Sequence, residues 1–103
     1  MRKQCKKCPW RKGVDPREIP DGYCERQHRA LAATIARPGV LSPLRMMACH
    51  ETPIGKENPC IGWLANQLGP GNNIPLRLAA HNGLIEEFRT VGEQHLSFED
   101  TLP

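Results

Sequence analysis

Apolar and polar residues alternate at helical spacing in three stretches of the chain, and proline and glycine interrupt them everywhere else. From Asp21, a side chain suited to capping, the spacing of Cys24, His28, Leu31 and Ile35 predicts a helix with those residues on its inward face, ended by Pro38-Gly39. A second helix is predicted from Cys60, with Ile61, Leu64 and Leu68 on one face and Gly69-Pro70-Gly71 as its stop. Asn73 followed by Pro75 reads as the entry to a third, which Leu76, Leu78, Ala79 and Ala80 continue to a stop at Asn82-Gly83. Leu44 to Ala48 is a short apolar element, strand or helix, leading into Cys49-His50, and Thr52 to Pro59 reads as a loop. Met1 to Pro20 has no sustained period and reads as loop or short hairpin. Beyond Glu87 the pattern fades. The expected fold class is a small α-rich domain, α+β being possible, stapled by metal, with about three short helices and long Pro/Gly-rich loops. Residues 1–88 are expected to form the single metal-binding domain and residues 89–103 an acidic C-terminal tail, ordered only by docking or not at all.

Composition explains why such a chain needs a staple. In 103 residues there are nine glycines, ten prolines and only 5% aromatics, which leaves one thin core. Five cysteines are the obvious reinforcement. No window holds an uninterrupted apolar run long enough to span a membrane, and residues 1–20 lack the apolar stretch of a signal peptide, so the expected location is cytoplasmic. In a reducing compartment cysteines are metal ligands more often than disulfides, and an odd number cannot pair off within one chain. The net charge of +3 hides a gradient. Arg2, Lys3, Lys6, Lys7, Arg11 and Lys12 crowd the first thirteen residues without an acid, whereas Glu86, Glu87, Glu93, Glu99 and Asp100 face only Arg89 near the other end. The basic end suits nucleic-acid phosphates, though a solvated surface is the simpler explanation of it.

Cys5-Lys6-Lys7-Cys8 is a CxxC knuckle, whose spacing lets two thiolates converge on one ion while neighbouring cations favour their ionised form. A closed tetrahedral site needs two more ligands. Cys49 and Cys60 are the preferred pair, because each lies where a loop meets an apolar element and a site made with them would tie the irregular N-terminus to the second helix. His50 is a substitute for Cys49, or a hydrogen-bond donor to the ligands, since adjacent residues seldom both reach one ion. Cys24 and His28, at i and i+4, are further substitutes, but their face is also a core face. The ion expected is Zn2+, with an iron-sulfur cluster as the alternative. His81 and His95 have no ligand partner nearby in sequence.

Catalytic patterns fail at required positions. Cys49-His50-Glu51 with Pro59-Cys60 imitates a zinc deaminase, but Trp63 stands where the last cysteine belongs. No βαβ setting surrounds the CxxC, as a thioredoxin-like pair would require, and Gly69 to Asn73 lacks the lysine of a phosphate loop. Binding is therefore expected rather than catalysis. The blocks Cys5-Lys6-Lys7-Cys8-Pro9-Trp10-Arg11, Thr34-Ile35-Ala36, Met47-Ala48-Cys49-His50, Pro59-Cys60-Ile61-Gly62-Trp63-Leu64 and Gly71-Asn72-Asn73-Ile74 resemble an uncharacterised family of small cysteine-rich proteins from phages and actinobacteria. The resemblance implies a metal-binding domain with Cys5, Cys8, Cys49, His50 and Cys60 as site candidates, and a phage accessory protein acting on nucleic acid or a host protein. On this reading Lys6, Lys7, Arg11 and Lys12 contact the partner, with Trp10 either a stacking platform or packing over the metal. The competing readings are a protein-interaction module that uses the later helices and acidic tail, and a thiol-based or iron-sulfur redox protein.

Overall fold

The computed structural model describes residues 2–19, 24–36, 46–49 and 58–102. Three α-helices and a two-stranded sheet make a small domain: β1 (Arg2–Lys3), α1 (Glu25–Ala30), α2 (Ile61–Leu68), α3 (Ile74–His81) and β2 (Phe88–Arg89), with 3-10 turns at Pro16–Glu18, Leu31–Thr34 and Glu99–Thr101. Among the described residues no helix is long and apolar enough to cross a membrane.

Helix α2 is the centre of the fold. Ile61 and Leu64 are buried as their spacing predicts, but Gly62, Trp63, Asn66 and Gln67 are buried as well, so the helix is enclosed on most of its circumference. Around it pack Cys8, Trp10, Met47, Cys60 and Phe98. Trp10 Nε1 points to Met47 Sδ at 3.4 Å, and Trp63 Nε1 donates to the Thr34 carbonyl at 3.1 Å, so both indole N–H groups have partners inside the core. At the far end of α2 the buried Gln67 accepts from Ala36 N and Asn73 Nδ2 and donates to Asn66 Oδ1. Asn66 in turn donates to the Leu96 carbonyl. This amide network fastens α2 to the turn that opens α3.

Helix α3 begins and ends as its sequence predicts. Asn73 Oδ1 accepts from Leu76 N at 3.2 Å, and Pro75 occupies the first turn, where its missing N–H leaves nothing unpaired. At the other end Gly83 adopts φ +73°, and the N–H groups of Gly83 and Leu84 return to the carbonyls of Ala80 and Ala79, a Schellman closure. Helix α1 starts later than its pattern suggests, with Cys24 at the N-cap, and tightens into the 3-10 turn at Leu31–Thr34 before Ile35 turns extended. The proposed cap Asp21 and stop Pro38-Gly39 lie outside the described residues, as do Leu44 and Arg45 at the start of the 44–48 element. Its last residue, Ala48, forms an antiparallel bridge with Pro59.

The two ends of the chain pair with each other. Among the described residues the N-terminal stretch forms no hairpin of its own. Instead β1 pairs in parallel with β2, Arg2 opposite Phe88 and Lys3 opposite Arg89. Gln4 and Gln94 exchange two amide hydrogen bonds at 2.7 and 2.8 Å, Arg11 bridges Gln94, and Lys12 lies 3.5 Å from Glu93. The acidic segment is thus packed into the body rather than standing apart as a tail. Phe98, 3% exposed, lies against Trp10 with ring centroids 6.2 Å apart and stacks on His28 at 5.1 Å.

His28 is fully buried in this cluster. Thr101 Oγ1 donates its only proton to the Phe98 carbonyl at 2.6 Å, so at 2.7 Å it must accept from His28 Nε2–H. Burial, with a smaller contribution from the Arg29 charge, pushes the imidazole pKa down to about 4. The neutral ring belongs to the native state and the unfolded chain takes up the proton first. This contribution is therefore complete above about pH 6.5 and is lost as pH falls towards 4, amounting to about 2–3 kcal/mol. Urea titrations at neutral pH and near pH 4.5 check it: the wild type should lose more stability than His28→Asn over that interval, by about that amount.

Candidate metal centre and basic face

The N-terminal knuckle is a run of tight turns. Cys8 N donates to the Cys5 carbonyl at 3.3 Å, and Arg11 N to the Cys8 carbonyl at 3.1 Å, so Lys6 and Lys7 occupy the tip of a loop whose two cysteines point back towards the body. A second connection delivers the other pair. Cys60 N donates to the Met47 carbonyl at 2.8 Å and Cys49 N to the Asn58 carbonyl at 2.7 Å, which aligns Cys49 and Cys60 across the Ala48–Pro59 bridge.

The four thiols meet. Cys8 Sγ and Cys60 Sγ are 3.6 Å apart, well beyond a disulfide bond and in hydrogen-bond contact for sulfur. Cys5 contacts both Cys49 and Cys8, and these contacts, with burial and neighbouring thiol charge, raise its pKa. Cys8 is driven the other way: hydrogen bonds from Cys5 and Cys60, then from Trp10 N–H and the Gln4 side chain, lower its pKa despite burial. Cys60 is raised, first by its bond to Cys8 and then by its own burial, while Trp63 N–H donates to it. The sulfurs form a chain in the order Cys49, Cys5, Cys8, Cys60, with Cys8 as the favoured thiolate, and Cys5, Cys8 and Cys60 titrate as a coupled set. Backbone N–H groups aimed at Cys8 and Cys60 are what thiolate ligands use to spread their charge.

Among the described residues no group of three or more His, Cys, Asp or Glu side chains stands ready as a metal cage. The thiols are instead held in contact with one another. Four sulfurs at about 2.3 Å from a tetrahedral ion would be separated by about 3.8 Å, so the observed 3.6 Å edge needs almost no adjustment on the Cys8–Cys60 side. The donor set, four thiols on two loops, suits a closed thiolate site.

The other candidate ligands lie elsewhere. Cys24 is exposed at the start of α1, neither in the core nor beside the cluster. A helix that starts one turn later than the spacing suggested leaves it on the rim. His28 is committed to Thr101 and Phe98. His50 lies outside the described residues. His81 is exposed and His95 half-buried, its backbone N–H donating to the Trp10 carbonyl.

Trp10 is no stacking platform. It is completely buried, with its Cβ pressed against α2 at Gly62. A Cβ at Gly62 would lie 2.4 Å from Trp10 Cβ and 2.8 Å from Cys8 Sγ, so only glycine lets the knuckle approach the helix. Sequence spacing did not single Gly62 out, although its place immediately after Cys60-Ile61, on a helix with apolar neighbours, was the available signal.

Lys6, Lys7, Arg11 and Lys12 remain on the surface, joined by Lys3. They line two recesses, one of about 290 Å³ that reaches Glu18 and one of about 410 Å³ that reaches Gln4 and Val91. Arg11 Nη1 is held by the Lys6 carbonyl at 3.3 Å. The nearest acids are engaged in part: Asp15 forms a close ion pair with Arg17, and Glu93 pairs with Lys12.

Residues 1–101 match a family of unknown function, DUF6283. The chain belongs to that family. The match takes in the knuckle, the Cys49 and Cys60 connection and the C-terminal segment through Thr101, so all the parts of the thiol cluster and the chain-end pairing fall inside a single DUF6283 unit. No curated protein and no solved structure matches the chain.

Proposed function

We propose that this protein is a small zinc-stapled binding domain, in which Cys5, Cys8, Cys49 and Cys60 hold one structural Zn2+ and the basic loop between and beyond the first two ligands meets the partner. The observation that carries the reading is the contact of four thiols brought by two separate loops, with backbone N–H groups directed at two of them. Such a set has no open position for a substrate, which favours a structural over a catalytic role. The ion would fix the loop bearing Lys6 and Lys7 against α2, so that folding of the N-terminus and display of the basic face become one event. A phage accessory protein that acts on nucleic acid or a host protein in the cytoplasm fits a unit of this size and charge.

Four thiolates also suit an iron-sulfur cluster, and the same contact chain favours it as the second reading. Elemental analysis with an absorption spectrum, on protein purified without oxygen, separates the two. About one zinc per chain and no visible colour is expected. Iron with sulfide, and a colour bleached by dithionite, would establish the cluster and move the protein towards redox sensing. Absence of any metal would overturn both readings.

A further inference from the structure

Within the binding reading above, on which this inference rests, the partner's chemistry can be narrowed further. Lys6, Lys7 and Arg11 line both recesses of the basic face, and thus form a ridge between them, with Lys12 on one side and Lys3 on the other. Among the described residues neither Lys6 nor Lys7 makes an ion pair, and the Arg11 guanidinium is steadied by a backbone carbonyl, so its positive charge is not neutralised. Asp15, paired with Arg17, and Glu18 also line the recess on the Lys12 side, so a polyanion would follow the ridge cations and the recess on the Lys3 side, which no acid lines.

What the two recesses lack is equally informative. No aromatic ring lines either one, and Trp10, the one aromatic residue in the basic segment, is sealed in the core. The side chain best suited to reading a base edge, Gln4, has its amide committed to Gln94 and Val91. Lys6, Lys7, Arg11 and Lys12 lie on the turns of the knuckle, and Lys3 belongs to a strand of only two residues, too short to enter a groove. Stacking on bases and hydrogen bonding to them are both unprovided for, whereas cations for phosphate contact are provided along the ridge.

From this we infer that the basic face binds the phosphate backbone of double-stranded nucleic acid across the Lys6-Lys7-Arg11 ridge, without regard to sequence. Fluorescence anisotropy with two short duplex DNAs of unrelated sequence tests this over a range of salt, using the metal-loaded full chain. The two duplexes should bind within about twofold of each other, with a log–log salt slope of about −2.7 to −4.5 from three to five phosphate contacts. Lys6→Gln/Lys7→Gln should shallow that slope by about two and weaken binding about tenfold at low salt, and Arg11→Gln should shallow it by about one. Arg26→Gln, outside both recesses, should leave the slope unchanged. Poly-glutamate of matched charge should compete more weakly than unlabelled duplex.

A preference of about tenfold for one sequence would overturn the inference, as would a slope that the ridge substitutions leave untouched, or absence of binding by zinc-loaded protein. Competition by poly-glutamate equal to that of duplex would place an acidic protein on this face instead. Metal content measured on the same samples keeps the two ideas apart: zinc without duplex binding defeats this inference alone, and duplex binding without zinc defeats the zinc reading alone.

Discussion

Cys60→Ser is expected to leave the protein without zinc and without a stable fold, while Cys24→Ser changes neither. Cys60 is 3% exposed, its sulfur is 3.6 Å from that of Cys8, and it immediately precedes the central helix. A structural zinc site contributes apparent binding energy of about 10–16 kcal/mol, as much as or more than the about 5–15 kcal/mol that separates most domains from unfolding. Losing one of four thiolates from such a site therefore removes most of what holds a thin core together. Cys24 makes no comparable contribution because it sits exposed at the start of α1. Zinc content and far-ultraviolet circular dichroism of the two variants check the contrast, and a chelator should reproduce the Cys60→Ser state in the wild type. Two equally folded, equally zinc-loaded variants would remove Cys60 from the site.

Gly62→Ala should destabilise the protein by about 3 kcal/mol, opposite in sign to what the helix alone would predict. In a helix interior alanine is favoured over glycine by about 1 kcal/mol. Here the added methyl would sit 2.4 Å from Trp10 Cβ and 2.8 Å from Cys8 Sγ. Trp10 Cβ is fixed to its backbone and Cys8 Sγ is held between Cys5 and Cys60, so the knuckle must move off α2. Overpacking of this kind costs about 1–3 kcal/mol or more, and here it also pulls the Cys8 thiol away from the other three. Urea denaturation measures the loss, and weaker zinc retention against a chelator should accompany it. A more stable Gly62→Ala protein would show that Trp10 and Cys8 do not pack on α2 as described.

The last two helices were legible in the sequence because local chemistry specifies them. Asn73 with Pro75 opens α3, Gly83 closes it, and Ile61 with Leu64 marks the inward side of α2. The first helix was legible only in outline, since a spacing that includes Cys24 fits the period but not the true start. The cysteines of the cluster could be proposed from the CxxC and from two loop-to-element junctions. What spacing could not supply were the contacts between residues far apart in the chain. Gln4 with Gln94, Arg2 with Phe88 and His28 with Thr101 are all such pairs. They turn an apparent acidic tail into part of the body. Trp10 illustrates the same limit: its basic neighbours left a stacking platform and a packed ring both open, and its area is buried against Met47, Phe98 and α2.

The central claim is that four cysteine sulfurs surround one zinc ion. X-ray absorption at the zinc edge, on the full chain as purified, addresses it most directly. The account predicts a shell of four sulfurs at about 2.3 Å with no light-atom ligand. A shell with a nitrogen at about 2.0–2.1 Å would put a histidine in place of one of Cys5, Cys8, Cys49 and Cys60, and a shell dominated by nitrogen or oxygen would contradict the thiolate site altogether.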